Sequence, residues 1–456
     1  MISRDEECII AQCTPQGKGA LALLRISGTS VRSLIDTMAR LASSKKIEDV
    51  SSHTIHYGTI IDAQGQSIDH VMIIIMDGPR TFTGQDTIEI TCHNNPFIIE
   101  SIIHQAINQG ARHAQEGEFT RRAYEAGKID LIQAESINEL ISAQTQHALK
   151  QSLAQLEGSF SHWIEALEKD LLQAIAWCEA SFEFLDEEVE FGDQLKTRLS
   201  ELLAKISSLK RTFNAQQHIR QGVKIALIGS VNVGKSSLFN KLLNQNRAIV
   251  TEVAGTTRDS IEAGLIRHGT TLTLIDTAGL RETDNAIEQE GIKRSYEEAH
   301  KADIILLVFD GSTKLSDEEV GIYQDIKQRY PKKCILVRSK ADCSTQTNQL
   351  SSPEEIAVSA HSGYNIELLE EEIDRKITAL FHELDSPFLL NKRHYNLLLD
   401  CEKKLEHCSH LLNNAPQYEL ISYALQDTLT TLSELTGRSI GEAALDTVFK
   451  EFCVGK

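Results

Sequence analysis

The stretch from Lys224 to Ser237, KIALIGSVNVGKSS, limits what this chain can fold into more than any other. A short apolar run, Ile225 to Ile228, ends at Gly229. Ser230 to Ser236 then complete the pattern G-x-x-x-x-G-K-S, and the sequence turns helical at Ser237-Leu238-Phe239. A strand, a glycine turn and a helix start, in that order, are what a nucleoside triphosphate requires. Backbone N–H groups and the positive helix N-terminus surround the phosphates, Lys235 reaches the β and γ oxygens, and the Ser236 hydroxyl can ligate magnesium. Gly229 and Gly234 let backbone and phosphate come close.

A chain of 456 residues is long enough for about three domains, because single cores rarely grow past ~250 residues. The N-terminus, Met1 to Glu7, is polar and acidic and does not read as a secretory signal. No apolar run approaches the ~20 residues that span a bilayer; Val71 to Met76 and Ile304 to Phe309 have the length of buried strands. The expectation is a soluble, cytoplasmic protein with no membrane partner. A formal net charge of −19 argues against a broad basic surface for nucleic acid, so any RNA contact needs a local patch or a partner protein. The nine cysteines are odd in number and contain no C-x-x-C, which indicates neither a disulfide framework nor a zinc ribbon. Cys401, His407, Cys408 and His410 could suggest metal, but their helical, Lys/Glu-rich setting favours ordinary helix side chains.

Along the chain, residues 1 to about 115 read as mixed α and β. Cys8–Cys13, Ala20–Ile26, Val71–Met76 and Thr87–Cys92 have strand character, punctuated by glycines. Arg25 and Glu89 interrupt apolar runs there, and a solvated outward strand face accounts for both. From Glu118 the pattern shifts to a helical period, with Ile164, Leu167, Leu171, Ile175 and Cys178 on one face. The acidic run Asp186 to Glu190 reads as a solvated loop, with metal binding as the sharper alternative, and a further helix is expected from Asp193 to Asn214. Residues 222 to 380 alternate strands (Ile225–Ile228, Thr271–Ile275, Ile304–Phe309, Cys334–Val337, Glu355–Val358) with helices, the pattern of a parallel sheet covered on both faces. After Pro387 helices return, and the stripe Ile421, Leu425, Leu429, Leu432, Leu435 stops at Gly437. The expected fold is multidomain. It has an α+β N-terminal domain (1–117), an all-α helical domain in two parts (118–221 and 381–456), and an inserted α/β Ras-like P-loop domain (222–380).

Four further stretches choose the nucleotide. Asp276-Thr277-Ala278-Gly279 follows a strand where an acid holds magnesium through water and a glycine N–H senses the γ-phosphate. Gly255-Thr256-Thr257-Arg258-Asp259 is placed to close a threonine onto magnesium. Asp342, in Ser339-Lys340-Ala341-Asp342, can accept from guanine N1 and N2, which adenine cannot supply. A backbone N–H at Ser359-Ala360 can meet guanine O6. GTP follows. Two departures stand out: Ser339 where an Asn normally opens the guanine motif, and Leu280 where a Ras-like glutamine would orient water. Glu282, Asp284, Glu288 and Glu290 are the candidates to replace that glutamine.

With these motifs in hand, the full length of the chain resembles the MnmE (TrmE) family of tRNA modification GTPases. The resemblance is carried also by Phe452-Cys453-Val454-Gly455-Lys456, by Ala11-Gln12-Cys13-Thr14-Pro15 with Leu24-Arg25-Ile26-Ser27-Gly28, by Gly117 to Ala123, and by Lys128 to Glu135. It implies a nucleotide site of Asn232, Val233, Gly234, Lys235, Ser236 and Ser237, then Thr251, Glu252, Val253, Ala254, Gly255, Thr256 and Thr257. Asp276, Thr277, Ala278, Gly279, Lys340, Asp342, Ser359 and Ala360 complete it. Mg2+ would be held by Ser236 and Thr257, and K+ by Asn232, Thr251, Val253 and Thr256, replacing an arginine finger; Glu288 would orient water and fill the place left by Leu280. Arg25, Glu89, Lys128 and Lys456 would bind a tetrahydrofolate derivative, the 5,10-methylene or 5-formyl form, which replaces the outward-face reading of the first two. Cys453 matches the family's functional cysteine, and Cys92-His93-Asn94-Asn95 stands where the family has Gly-His-Gly-Gly, an exchange that a positive φ at Asn would accommodate.

The resemblance further implies a homodimer joined through the N-terminal domains. It implies a heterotetramer or larger complex with the FAD protein MnmG (GidA), and one-carbon transfer to C5 of the tRNA wobble uridine, giving an aminomethyl or carboxymethylaminomethyl group. GTP turnover would drive domain movement and not the carbon chemistry. Two rivals share the nucleotide motifs: a ribosome-assembly or regulatory GTPase acting by binding alone, and a Ras-like switch that needs an external activator.

Overall fold

The computed structural model describes residues 7–183, 188–213, 220, 222–245, 261–267, 269–276, 296–343, 354–382, 387–413 and 417–456. Two compact units emerge. One holds residues up to Asn138 together with Ala154–Leu203 and Leu397–Lys456, and the other holds Glu139–Leu153 and Ala204–Asn396.

In the first unit seven strands form one sheet: β1 (Ile9–Gln12), β2 (Leu21–Ser27), β3 (Ala39–Leu41), β4 (Thr54–Ile61), β5 (Ser67–Met76), β6 (Thr87–His93) and β7 (Arg112–His113). Their order is β3-β4-β5-β6-β2-β1-β7, antiparallel except for β1 with β7. Alternation dictates the burial. Leu24, Ile26, Ile73, Ile75, Ile88 and Ile90 turn to one face and pack on Val31, Ile35 and Met38 of α1 (Val31–Met38) and Ile99 and Ile102 of α2 (Pro96–Asn108). Each such side chain contributes roughly 1.5–3 kcal/mol on burial. On the opposite face Ile55 and Tyr57 of β4 and Met72 of β5 remain 60, 54 and 41% exposed.

Helices from both sides of the nucleotide-binding stretch meet in the same unit: α3 (Glu118–Glu125), most of α4 (Leu131–Ser142), α6 (Ser159–Glu183) and the first two-thirds of α7 (Glu188–Arg211), whereas α5 (Gln146–Leu156) belongs mostly to the second unit. The expected face of α6, Ile164 to Cys178, is buried throughout. Glu168 on that helix accepts from Ser433 and Arg438 at 3.0 and 2.9 Å, at the end of the helix Tyr418–Thr436. Gly437 stops that helix in the left-handed conformation, φ 89°. Cys401 and Cys408 lie on the buried face of the helix Lys392–Asn413 while His407 and His410 lie on its exposed face, so the four do not converge. The acidic run was expected as a loop, but Glu188 to Glu190 already belong to α7; Asp186 and Glu187 lie outside the described residues.

The second unit carries a six-stranded sheet of order β13-β12-β11-β8-β10-β9: β8 (Val223–Ile228), β9 (Ile261–Arg267), β10 (Thr270–Asp276), β11 (Ile304–Asp310), β12 (Cys334–Ser339) and β13 (Ile356–Ala357). Five strands run parallel. β9, which the reading above did not include, is antiparallel to β10, so the sheet is mixed. Both faces are covered: α8 (Lys235–Gln245) and α10 (Ile366–His382) on one, α9 (Asp317–Arg329) on the other. All seven residues of β11 are buried, which explains the unbroken apolar run of its first six, Ile304 to Phe309, before Asp310. Because β8, β11 and β12 are parallel, their carboxyl ends and the turns that follow lie at one edge, where open α/β sheets bind ligands.

Among the described residues no helix is long and apolar enough to cross a membrane. In the first unit, Glu118 accepts from Arg112 at 2.6 and 2.8 Å and from Arg122 at 2.9 Å. Burial pushes the Glu118 carboxyl up, but hydrogen bonds from Arg112 and the Gln115 amide outweigh it and hold it below its ordinary 4.5. A folded value below the unfolded one means that its contribution is present above pH 4.5 and is lost as pH falls through the folded value. Melting temperature is therefore expected to drop on acidification below that pH, and to drop less steeply in Glu118→Gln. Equal slopes in a pH series of thermal melts would remove Glu118 from this account.

Candidate functional site

The phosphate-binding loop is built where β8 ends. Gly229 lies so close to β11 that an added Cβ would overlap the Val308 carbonyl oxygen, which is why no larger residue serves there. The Tyr323 hydroxyl of α9 accepts from Ser230 N at 2.9 Å and donates to Val308 O at 2.9 Å, pinning the loop's first turn. Asn232 and Gly234 take φ of 62 and 98°, left-handed values that Asn tolerates and Gly adopts freely. α8 begins at Lys235, so its free N–H groups and positive end face into the loop. Lys235 is buried, and its ammonium donates to the Gly229 and Ser230 carbonyls at 2.6 Å each. Those two carbonyls hold the ammonium at the loop, which suits an incoming anion. Ser236 and Ser237 stand exposed in the first turn, and Val233 is buried beneath it.

At the other end of the edge, buried Ser339 sets its hydroxyl between Val233 O of the loop and Phe309 O at 3.0 Å. A serine has one proton to donate, so one carbonyl receives it at a time. Thus the serine that replaces asparagine touches the phosphate loop directly. After it, Lys340 turns left-handed with φ 54°. The Asp342 carboxyl is held below its usual range, first by the Ser359 hydroxyl that donates to it. Ser359 also accepts from Ser362 N at 3.1 Å, and Ala360 follows directly. Asp276 is the last residue of β10. Thr251 to Thr257, Thr277 to Gly279, Leu280 and Glu288 lie outside the described residues.

A second cluster sits in the first unit. Arg25 on β2 pairs across the sheet with Glu89 on β6, Nη2 to Oε1 2.7 Å, and its guanidinium lies 5.9 and 5.6 Å from the Phe82 and Phe119 ring centres. These two residues are half-buried and paired, so the solvated outward-face reading does not hold. Lys128 donates to Pro79 O, in the loop that carries Phe82. Lys456 O accepts from Phe119 N at 3.0 Å, and Lys456 Nζ is buried with no hydrogen-bond partner among the described residues. The Cys13 thiol, pushed up by burial, donates to Gly455 O at 3.1 Å, while Cys453 is exposed. Gly455 takes φ 97° and lies against the Gln12 carbonyl, a place that a side chain would fill.

Neither Asn94 nor Asn95 has a positive φ. Asn95 instead caps α2 from an extended conformation, its side chain accepting from Phe97 N at 2.9 Å, and Asn94 donates to Gly17 O at 2.8 Å. Tyr323, Asp310, Phe82 and Phe119 escaped the sequence reading. Only Asp310 had a visible signal, a charge closing a fully apolar strand.

Family models described as "GTP-binding protein TrmE N-terminus" and "MnmE helical domain" match residues 8–128 and 131–453. A tRNA modification GTPase MnmE of Aquifex aeolicus is 36% identical over 99% of this chain and 100% of its own. The protein of that name from Flavobacterium johnsoniae is 35% identical, over 100% of both chains. Thermotoga petrophila has another at 34%, covering 99% of this chain and 100% of its own.

An unpaired buried ammonium destabilises the protein that carries it. Lys456→Met is accordingly expected to raise stability by about 1–3 kcal/mol, read as a higher melting temperature. A lower one would show that the ammonium is satisfied in solution.

Proposed function

Since this chain belongs to the MnmE family of tRNA modification GTPases, we propose that it hydrolyses GTP in a potassium-dependent way and, with an FAD-dependent partner, modifies the wobble uridine of tRNA. The observation that carries the nucleotide part is the convergence of Lys235, Ser236, Ser339 and Asp342 at the carboxyl ends of β8 and β12. Lys235 and the loop amides hold the β and γ phosphates, and Asp342 reads guanine. Ser236 and Thr257 hold Mg2+; a hydroxyl exposed in the first turn of α8 fits that role. Asn232, exposed and left-handed beside the loop, fits a carbonyl donor to K+ together with Thr251, Val253 and Thr256. When bound, the two cations offset the charge that builds on the phosphates as the bond breaks. Glu288 orients the attacking water, the task Leu280 cannot perform.

The second cluster fits a tetrahydrofolate derivative. Lys456 offers a buried positive charge with no partner among the described residues, Arg25 and Glu89 offer a donor and an acceptor side by side, and Phe82 and Phe119 offer aromatic faces. The ligand would supply the one-carbon unit for C5 of the uridine, and exposed Cys453 stands within the same C-terminal segment as Lys456. The apolar sheet face of Ile55, Tyr57 and Met72 supports a homodimer through the N-terminal unit. An acidic chain, net charge −19, leaves most tRNA contacts to the partner, MnmG in this family.

Replacing potassium by sodium is expected to lower GTP turnover by roughly a hundredfold, the scale of lost charge stabilisation in a transition state. Glu288→Ala is expected to do the same or more while GTP affinity stays nearly constant. Turnover indifferent to the alkali ion would refute the cation role, and parallel loss of binding would refute that of Glu288. Arg25→Ala should weaken folate binding roughly tenfold or more and leave the GTPase untouched. No folate binding, together with fully modified wobble uridines in cells lacking the protein, would instead favour a GTPase that acts by binding alone.

A further inference from the structure

The turn that presents Asp342 is held from outside the nucleotide motifs. Lys340 takes φ 54°, a conformation unfavourable for any residue with a Cβ, so something must hold it. Its ammonium lies 2.6 Å from Oδ2 of Asp310, the last residue of β11. Asp310 is 6% exposed, and its other oxygen, Oδ1, accepts from the Ser312 amide at 2.8 Å and the Ser312 hydroxyl at 2.7 Å. That pair of donors orients the carboxylate and leaves Oδ2 directed at Lys340.

The register puts Asp310 directly opposite Ser339, the residue whose hydroxyl reaches the phosphate loop. Beyond Lys340 the turn is closed by Ala341 N to Val358 O and Cys343 N to Lys340 O, each 3.0 Å, with Asp342 between them. Asp342 thus hangs from a turn whose one unfavourable residue is anchored by a single buried carboxylate.

We propose that Asp310 is a positioning residue for guanine recognition: by holding the Lys340 ammonium it keeps the left-handed turn in place and so aims Asp342 at the base. This rests on the reading of Ser339 to Asp342 as the guanine site. An alternative in which the ion pair merely adds stability predicts an altered melting temperature with unaltered base preference. A positioning role predicts a change in which bases are accepted. Without its partner, the ammonium is also free to turn toward the nearest anion, the bound phosphates.

The test measures GDP and IDP affinity by titration calorimetry on the full chain, with Asp310→Asn, Lys340→Gly and the double variant. Asparagine keeps an acceptor for Ser312 but loses the charge. Asp310→Asn is expected to weaken GDP binding roughly tenfold, the scale of one charge-assisted hydrogen bond. It should weaken IDP less, because IDP lacks the 2-amino group that Asp342 accepts from. KM for GTP should rise in proportion, with kcat within about twofold of the parent. Glycine adopts a positive φ without strain, so Asp310→Asn should add nothing in the Lys340→Gly background. Unchanged GDP affinity in Asp310→Asn, equal loss for GDP and IDP, or an undiminished loss in the glycine background would each overturn the proposal. Should Asp310→Asn fail to fold, Ser312→Ala decides. It removes one of two donors from Oδ1 and is expected to weaken GDP roughly threefold, whereas parental affinity would overturn the assignment. A parent chain without GDP affinity would sink the nucleotide reading itself, and this proposal with it.

Discussion

One close approach governs the nucleotide end of the molecule: Gly229 against the carbonyl of Val308. It lets the chain leaving β8 turn sharply over β11, and only that turn brings the amides of the following residues round to face a common centre. The sheet order makes the approach possible, since β8 lies between β11 and β10 with its carboxyl end flanked on both sides. Tyr323 fastens the start of the loop and Ser339 fastens its middle, so two different secondary-structure elements hold a segment that has no regular structure of its own. An anion site made of backbone donors works only if those donors do not rearrange to meet it, and this bracing supplies that stiffness.

How much of this could be read from residue order depends on whether the cause was local. The buried runs of β8, β11 and β12 and the stripes on α6 and on Tyr418–Thr436 were legible, because burial on two faces or one imposes a pattern that sequence displays directly. β9 was not, since exposed Ile266 and then Arg267 reverse the alternation that Ala263 and Leu265 set up, and its partner is a hairpin neighbour. β4 was missed because its regular apolar residues, Ile55 and Tyr57, face outward while Gly58 interrupts the inner set. Side-chain partnerships were illegible for a different reason. That Arg25 meets Glu89, or Asp310 meets Lys340, follows from strand register and from turns 30 to 64 residues away, which no short motif encodes.

Two departures from family motifs that fall within the described residues, Ser339 and Asn94-Asn95, are accommodated in different ways. Ser339 is compensated in place: its short hydroxyl reaches a loop carbonyl because the end of β12 sits close beneath the loop. The exchange of glycines for Asn94 and Asn95 is accommodated by another conformation, with one side chain capping α2 and the other tying down the Gly17 loop. Both show substitution absorbed by rewiring hydrogen bonds while the backbone path stays usable.

The bond from Cys13 to Gly455 spans 442 positions. This contact can therefore form, during synthesis, only once a segment made after the entire nucleotide-binding unit has emerged. The sheet can collapse early on its own helices, but the contacts of Gly455 with Cys13 and of Lys456 with Phe119 form only after the nucleotide-binding unit has been made. In a growing chain, the nucleotide-binding unit can therefore be folded before the N-terminal unit has made its last contacts.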